Sequence, residues 1–462
     1  MELVGRLADG IWNPWLLCLF LFTGLFYSVR TGFFQLFGVR IWLRATVGSL
    51  FAARREKGRG ITRVQALATA LASTIGTGSV AGVATAIFFG GPGAVFWMWL
   101  SALLGMMTGC AEKVLAVRCR RLNSDGTWDG GPMYYLSHNL KSPFLAGWFA
   151  LFCLCGALVG GNLVQSNSIA QSIQTLFGWE PLFVGVVTAV LAGVVLVGGV
   201  DRIARFSEIL VPLMALLFLG SGAVVLWVRR TYLPQALQLI IQSALSPTAA
   251  AGGIGGYGIS TALRYGVARG VFTNEAGMGS SALAHANADT QMPGEQGMWG
   301  ILEVFVATVV ICTMTALVIL TAGIYDPVQA LEAIRSGDFS NVAVGVALTS
   351  SSFAVVLGRW GEGIVCVCLL LFAFSSVLGW SYYGERALNW FVRGRLVRPL
   401  WRTAFLVITV AGSVGEVGLV WQLVDLFTAL MALPNLAALL VLSPRILDSL
   451  NEYLKRQTHP RR

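Results

Sequence analysis

Apolar residues gather into long runs along the chain, and short polar segments rich in arginine separate them. A spanning helix needs about 20 mostly apolar residues, because about 1.5 Å of rise per residue must cover a hydrocarbon layer of roughly 30 Å. By that measure the pattern predicts eleven spans, at 11–29, 64–89, 93–118, 145–177, 180–198, 206–228, 252–287, 299–323, 360–384, 402–419 and 421–443. The longest polar stretches are 30–63 and 324–358, and neither reads as a soluble domain or a low-complexity linker. The expected class is an all-α polytopic membrane protein with a single transmembrane domain over 1–462.

Composition agrees with this pattern. Of 462 residues, 56% are hydrophobic and 12% charged, and the mean hydropathy is +0.72. Soluble domains carry roughly twice that share of charge. The formal net charge of +10 does not point to nucleic acid, because its basic residues sit in a few inter-helix segments with no repeated basic and aromatic pattern. Those segments are 30–63, 118–142, 385–402 and the tail 444–462. Basic loops face the cytoplasm. Alternation then places the N-terminus outside and the C-terminus inside, in the cell inner (plasma) membrane; Arg229 and Arg230 are the main basic pair left outside. The first apolar run lacks a basic segment before it and reads as a retained helix.

Candidate catalytic chemistry is sparse. Cys153/Cys155 and Cys366/Cys368 lie two residues apart within apolar helical runs, where such neighbours point away from each other. They read as small buried hydrophobes. His138, His285 and His459 form no ligand spacing. With no Ser/His/Asp set or metal motif, a membrane-embedded enzyme is a weak alternative, and no cofactor is expected.

The informative runs are the interrupted ones, 64–89 and 252–287. Non-helical backbone inside a bilayer is tolerated only where protein or a wet cavity satisfies its amides and carbonyls. In Ser73-Thr74-Ile75-Gly76-Thr77-Gly78-Ser79, two glycines disfavour helix mid-span. Ser79 is suited to cap a second half-helix. Such a break presents N–H groups to a carboxylate and carbonyls to a cation; close packing through small residues is the plainer alternative. A second break falls at Val271-Phe272-Thr273-Asn274-Glu275-Ala276-Gly277. Glu275 is either a direct ligand contact or a first-turn residue of a half-helix capped by Thr273 or Asn274. Breaks in corresponding spans of two halves mark the midplane site of inverted-repeat transporters.

The stretches Gly76-Thr77-Gly78-Ser79-Val80-Ala81-Gly82-Val83-Ala84, Gly90-Gly91-Pro92-Gly93-Ala94, Gly130-Gly131-Pro132-Met133-Tyr134, Arg269-Gly270-Val271-Phe272-Thr273-Asn274-Glu275-Ala276-Gly277 and Val377-Leu378-Gly379-Trp380-Ser381-Tyr382-Tyr383-Gly384-Glu385 resemble the alanine/glycine:cation symporter family. The resemblance covers essentially the whole chain. It implies the leucine-transporter fold, a five-plus-five inverted repeat with one extra N-terminal helix. The divisions are then 11–29 for the extra helix, 64–228 and 252–443 for the repeats, and 444–462 for a cytoplasmic tail. It also implies import of alanine or glycine with sodium, in contact with membrane lipid and without a nucleic-acid partner.

Carried onto this chain, the family's substrate contacts fall on Thr77, Gly78, Ser79, Gln165, Phe272, Gly277 and Trp380. Gln165 shares a polar helical face with Gly161, Asn162 and Ser168, where a helix–helix hydrogen bond is the other reading. The sodium ligands implied are the carbonyls of Ala72, Ile75 and Phe372 and the hydroxyls of Ser375 and Ser376, hard oxygens suited to a hard cation. Phe372, Ser375, Ser376 and Gly379 share one helix face, and back-bonding of the serines to their own helix is the alternative. Where the family usually has asparagine this chain has Ser79, which loses an amide able to reach substrate or a second ion. Proton coupling is therefore the nearest rival, with a channel or sensor on the same fold further off.

Overall fold

The computed structural model describes residues 10–12, 14–50, 60–122, 128–245, 258–394, 396–415 and 418–458. The start of the seventh expected span at 252–257, part of the first basic segment at 51–59, and the end of the tail with His459 lie outside the described residues. The helices are α1 (Pro14–Arg30), α2 (Arg63–Thr74), α3 (Ala81–Gly90), α4 (Gly93–Arg118), α5 (Pro143–Phe177), α6 (Pro181–Leu196), α7 (Gly199–Val228), α8 (Leu233–Leu245), α9 (Ile259–Asn274) and α10 (Ala282–His285). They continue with α11 (Pro293–Ala322), α12 (Val346–Leu357), α13 (Arg359–Phe391), α14 (Val397–Val414), α15 (Gly418–Val441) and α16 (Ser443–Thr458). The two-residue strands Arg121–Leu122 and Trp128–Asp129 pair antiparallel beyond α4.

Among the described residues six helices are long and apolar enough to cross a membrane: α4, α5, α7, α11, α13 and 420–441 within α15. Length and composition alone therefore do not reach eleven spans. Two of the five missing, the expected second and seventh spans, are cut into shorter helices at their breaks; the other three are α1 and α6, of 17 and 16 residues, and α14, of 18 residues with Arg398 and Arg402 near its start. The polar stretch 324–358 also holds structure that its composition hides: a helix at Pro327–Ser336 capped by Asp326, then α12.

Packing follows the small residues. Gly300 of α11 lies so close to α4 that an added Cβ would stand 2.6 Å from the Gly109 carbonyl oxygen. Removing side chains lets the two backbones meet, the usual route to tight helix contact in lipid. Gly24 of α1 lies equally close to Leu104 of α4. The Trp12 indole N–H donates to the Asp425 carbonyl at 2.8 Å and the Tyr27 hydroxyl to that of Leu439, so the first helix is tied to α15. α9 stands against the α4–α11 pair and α2 against α7 and α13, while α5, α7 and α12 pack around α13. The broken elements α2–α3 and α9–α10 lie between these groups.

Candidate substrate and ion site

Thr62 and Gln65 form a reciprocal cap that starts α2, which ends at Thr74. Ile75 leaves the helical region and Gly76 is extended (φ −110°, ψ −154°). One 3₁₀ turn, Thr77–Ser79, follows before α3 begins at Ala81. The residue before α3 is Val80, with no side-chain cap, so Ser79 does not cap the half-helix as expected. It lies within the turn, where its own carbonyl is one of those left by the break. Thr315 of α11 donates to the Ser79 carbonyl at 2.8 Å, and Thr349 of α12 to that of Val80 at 3.2 Å. Sequence reasoning missed both threonines, one in an apolar span and the other inside a stretch read as polar loop. The Thr77 and Ser79 side-chain hydroxyls are fully buried and have no hydrogen-bond partner among the described residues.

Gln165 meets this break. Its Oε1 accepts the Thr77 N–H at 3.3 Å, while its Nε2 donates to the Gly160 carbonyl at 3.1 Å. Gly160 belongs to Val159–Leu163, a π-helical stretch inside α5. Such bulges displace the following side chains and are frequent at functional sites. Gly76 is pressed between α5 and α13: a Cβ there would stand 2.5 Å from Ser376 Oγ and 3.3 Å from Gln165 Oε1. Gly78 faces the second break, and a Cβ would stand 3.1 Å from the Phe272 ring. Phe272 packs edge-on to Trp421, with ring centroids 5.9 Å apart. Trp380, one turn beyond Ser376, packs against Gly156 and Gly161 of α5 and edge-on to Tyr383 at 5.4 Å. Thr77, Gly78, Gln165 and Phe272 thus converge directly, and Trp380 joins them along the α5–α13 seam.

Gly277 is placed elsewhere. Its N–H donates to Glu112 Oε1 at 3.0 Å, its carbonyl accepts from Asn435 at 2.9 Å, and an added Cβ would strike Phe20. Its φ of +93° also favours glycine.

The expected ion ligands form a compact group of oxygens. Ser375 Oγ donates to the carbonyls of Ala72 and Phe372, both at 2.9 Å. Ser376 Oγ donates to those of Ala72 at 3.2 Å and Ser73 at 3.1 Å. Ser376 therefore bonds across to α2 and not back to its own helix, while Ser375 does both. Ile75 is buried just past the end of α2, and none of the serine hydrogen bonds reaches its carbonyl. These hydroxyls and carbonyls are neutral, hard donors, the set a small alkali cation accepts.

The second break departs from expectation. Neither Thr273 nor Asn274 caps a following helix; α9 runs through Asn274 and closes on Glu275 in the left-handed region (φ +54°). Helical turns resume only at Ala282. Near the other end of α9's last turns, Arg269 makes a two-pronged contact with Asp425 of α15, at 3.3 and 3.4 Å, and lies over Trp421.

Below this break lies a fully buried ionic network that the sequence reading passed over. Lys113 Nζ stands 3.1 Å from Glu303 and 3.5 Å from Glu112, and donates to Ser281 at 2.7 Å. Glu303 also meets His285 at 3.1 Å and accepts from Thr74 at 3.4 Å. Glu112 Oε1 collects the N–H groups of Gly277 and Gly279 and the Asn435 amide. The signal was present: Glu112 and Lys113 are adjacent ionisable residues inside an apolar run, which marks function or pairing. Among the described residues no group of three or more His, Cys, Asp and Glu side chains is set to hold a metal ion.

The comparisons with known proteins concern the whole length. Residues 1–462 match the model of the sodium:alanine symporter family. The chain is 39% identical to the sodium/alanine symporter AgcS of Methanococcus maripaludis over 448 residues, covering 96% of this chain and 95% of the relative. It is 34% identical to the probable sodium/glutamine symporter GlnT of Bacillus subtilis, covering 99% of this chain and 91% of that one. Among solved structures, MhsT in complex with L-phenylalanine superposes with a TM-score of 0.54 at 16% identity, covering 86% of this chain and 93% of that chain. The fold is that of the leucine transporter, and the relatives are transporters, not enzymes. By its full-length match and its relatives, the chain belongs to the sodium:alanine symporter family.

Proposed function

We propose that the protein imports small neutral amino acids, alanine and glycine, by symport with sodium. The observation that carries this reading is the convergence of the Ser375 and Ser376 hydroxyls on the carbonyls of Ala72, Ser73 and Phe372, next to a broken helix whose Thr77 N–H meets Gln165. Oxygens gathered across the α2–α13 seam suit a sodium ion, and the non-helical turn Thr77–Ser79 suits a substrate carboxylate. Phe272 and Trp380 bound the side-chain space. In this reading 64–228 and 252–443 are inverted repeats, α1 is additional, and alternating access comes from rocking of the elements carrying the breaks with α4 and α11. The basic segments set the N-terminus outside and the C-terminus in the cytoplasm of the plasma membrane.

Radiolabelled alanine uptake into proteoliposomes, with sodium and pH gradients imposed separately, tests the reading. Concentrative uptake that collapses without a sodium gradient is the expected result, and uptake indifferent to sodium overturns it. Proton-coupled symport is the second reading, favoured by Ser79 in place of the family's usual asparagine and by its unpartnered hydroxyl. Uptake driven by a pH gradient alone would establish that alternative.

A further inference from the structure

The network below the second break is short of positive charge. Three carboxylates meet there, Glu112, Glu275 and Glu303, each 2% exposed or less. Against them stand Lys113 and His285, both fully buried. The Gln296 amide nitrogen lies on His285 Nδ1 at 2.5 Å, so that nitrogen accepts, and the Nε2–H is left to donate to Glu303. The ring is then neutral. Even with a charged ring, the network would lack one cation.

The distribution of partners says where the deficit falls. Glu303 has Lys113 and His285; Glu112 has Lys113 and three N–H donors. Glu275 has neither cation within bonding distance, and its side chain's only hydrogen-bond partner among the described residues is the Ser280 hydroxyl. Around it lie Glu112 and Lys113 of α4, Glu303 of α11, Cys153 of α5 and Tyr383 of α13. None of these adds a positive charge beyond Lys113. An uncompensated carboxylate in a water-poor interior neutralises itself by taking up a proton.

A second observation places a small polar cavity beside the group. Asn274 and Ala276, which flank Glu275, line a cavity of about 10 Å³ with Ser101, Gly105 and Thr108. The Asn274 amide nitrogen and the Thr108 hydroxyl are buried there without partners. The space suits a single water molecule.

We propose that Glu275 is a proton-binding site: it holds a proton while the second break is closed as seen here, and gives it up to water only when the break opens. The proton comes from hydronium or water and sits on a carboxylate oxygen, with Ser280 bonded to the group in either state. Closure is thereby coupled to uptake of one proton and opening to its release.

Infrared spectra of the purified full chain test this without any transport assay. The wild type is expected to show a protonated-carboxyl band at neutral pH that fades in alkaline buffer, and E275Q is expected to lack it. The melting temperature of the wild type should fall relative to E275Q over the same range. S280A removes a donor that favours the ionised form, and it should hold the band to higher pH; this variant keeps the test open should E275Q fail to fold. Spectra of wild type and E275Q that coincide in the carboxyl region overturn the proposal. So does a wild-type band undiminished at alkaline pH, or a band midpoint unmoved in S280A.

Discussion

Gln165 Oε1 accepts the Thr77 N–H at 3.3 Å, so one side chain joins the π-helical stretch of α5 to the turn that interrupts α2 and α3. The contact selects which N–H groups of the break remain open to a ligand. It also gives a use for the irregular winding of α5, which aims Gln165 at the neighbouring break.

Gln165→Ala leaves the Thr77 amide and the Gly160 carbonyl without their partner. An unsatisfied buried group costs about 1–3 kcal/mol. The half-saturating alanine concentration should rise by roughly tenfold or more, with a smaller change in that for sodium. Equal shifts in both, measured in proteoliposomes at matched folded protein, would make Gln165 a general structural link and not a substrate contact.

The two serines should behave oppositely. Ser375→Ala with Ser376→Ala removes two oxygens from the group around Ala72. Each lost ligand to a charge is worth roughly 1.5–3 kcal/mol, so sodium dependence should weaken by at least tenfold while alanine recognition at saturating sodium changes less. A double variant with the wild-type half-saturating sodium concentration places the ion elsewhere.

Much of this arrangement was legible in the sequence, because a glycine pair mid-span and a polar helix face have few uses in lipid. Gly76, Thr77, Gln165 and Phe272 do meet. Gly277 was harder to place: its motif resembles a substrate contact, yet its N–H is taken by Glu112, some 165 positions earlier in the chain. Pairing at that separation leaves no local pattern. Glu303 and His285 were hidden for the same reason, since each looks like an isolated polar residue in its span, whereas the adjacent Glu112 and Lys113 carried a local signal. Thr349 was hidden by length, as the apolar helix around it, Val346–Leu357, is too short to read as a membrane span.

Glycine substitutions offer a sharp internal control. Gly76→Ala would place a methyl 2.5 Å from Ser376 Oγ, in a site with no room to yield. Overpacking of this kind costs about 1–3 kcal/mol, and here it pushes apart the α2–α13 seam. Gly82→Ala, in α3, meets nothing within 4 Å, and alanine favours a helix by up to about 1 kcal/mol. Sodium-driven uptake should be lost in the first and kept in the second, with the second at least as heat-stable as wild type. Comparable uptake in both variants would show that the seam does not need its close approach.

Substrate size is the last property the geometry decides. Trp380 lies against Gly156 and Gly161, where its Cβ occupies the place a side chain at Gly161 would take, and Phe272 covers Gly78. In the proposed site these two rings bound the substrate's side chain. A hydrophobic pocket distinguishes one methylene by only about 1–3 kcal/mol, so exclusion of leucine must come from bulk. Trp380→Ala should therefore admit larger neutral amino acids while weakening alanine, whose contacts are lost. Phe272→Ala should do the same more mildly, because Phe272 is half-buried and adjoins a break whose backbone can adjust. Packing of both rings against neighbouring helices alone predicts a different outcome, a lower folded yield with the preference order unchanged. Competition of labelled alanine uptake by glycine, alanine, serine, valine, leucine and glutamine separates the two. Glutamine belongs in the panel because a relative is described as a probable sodium/glutamine symporter. If well-folded Trp380→Ala protein keeps the wild-type order, the indole does not bound the substrate, and the size limit must arise at Phe272 or at the Thr77–Ser79 turn.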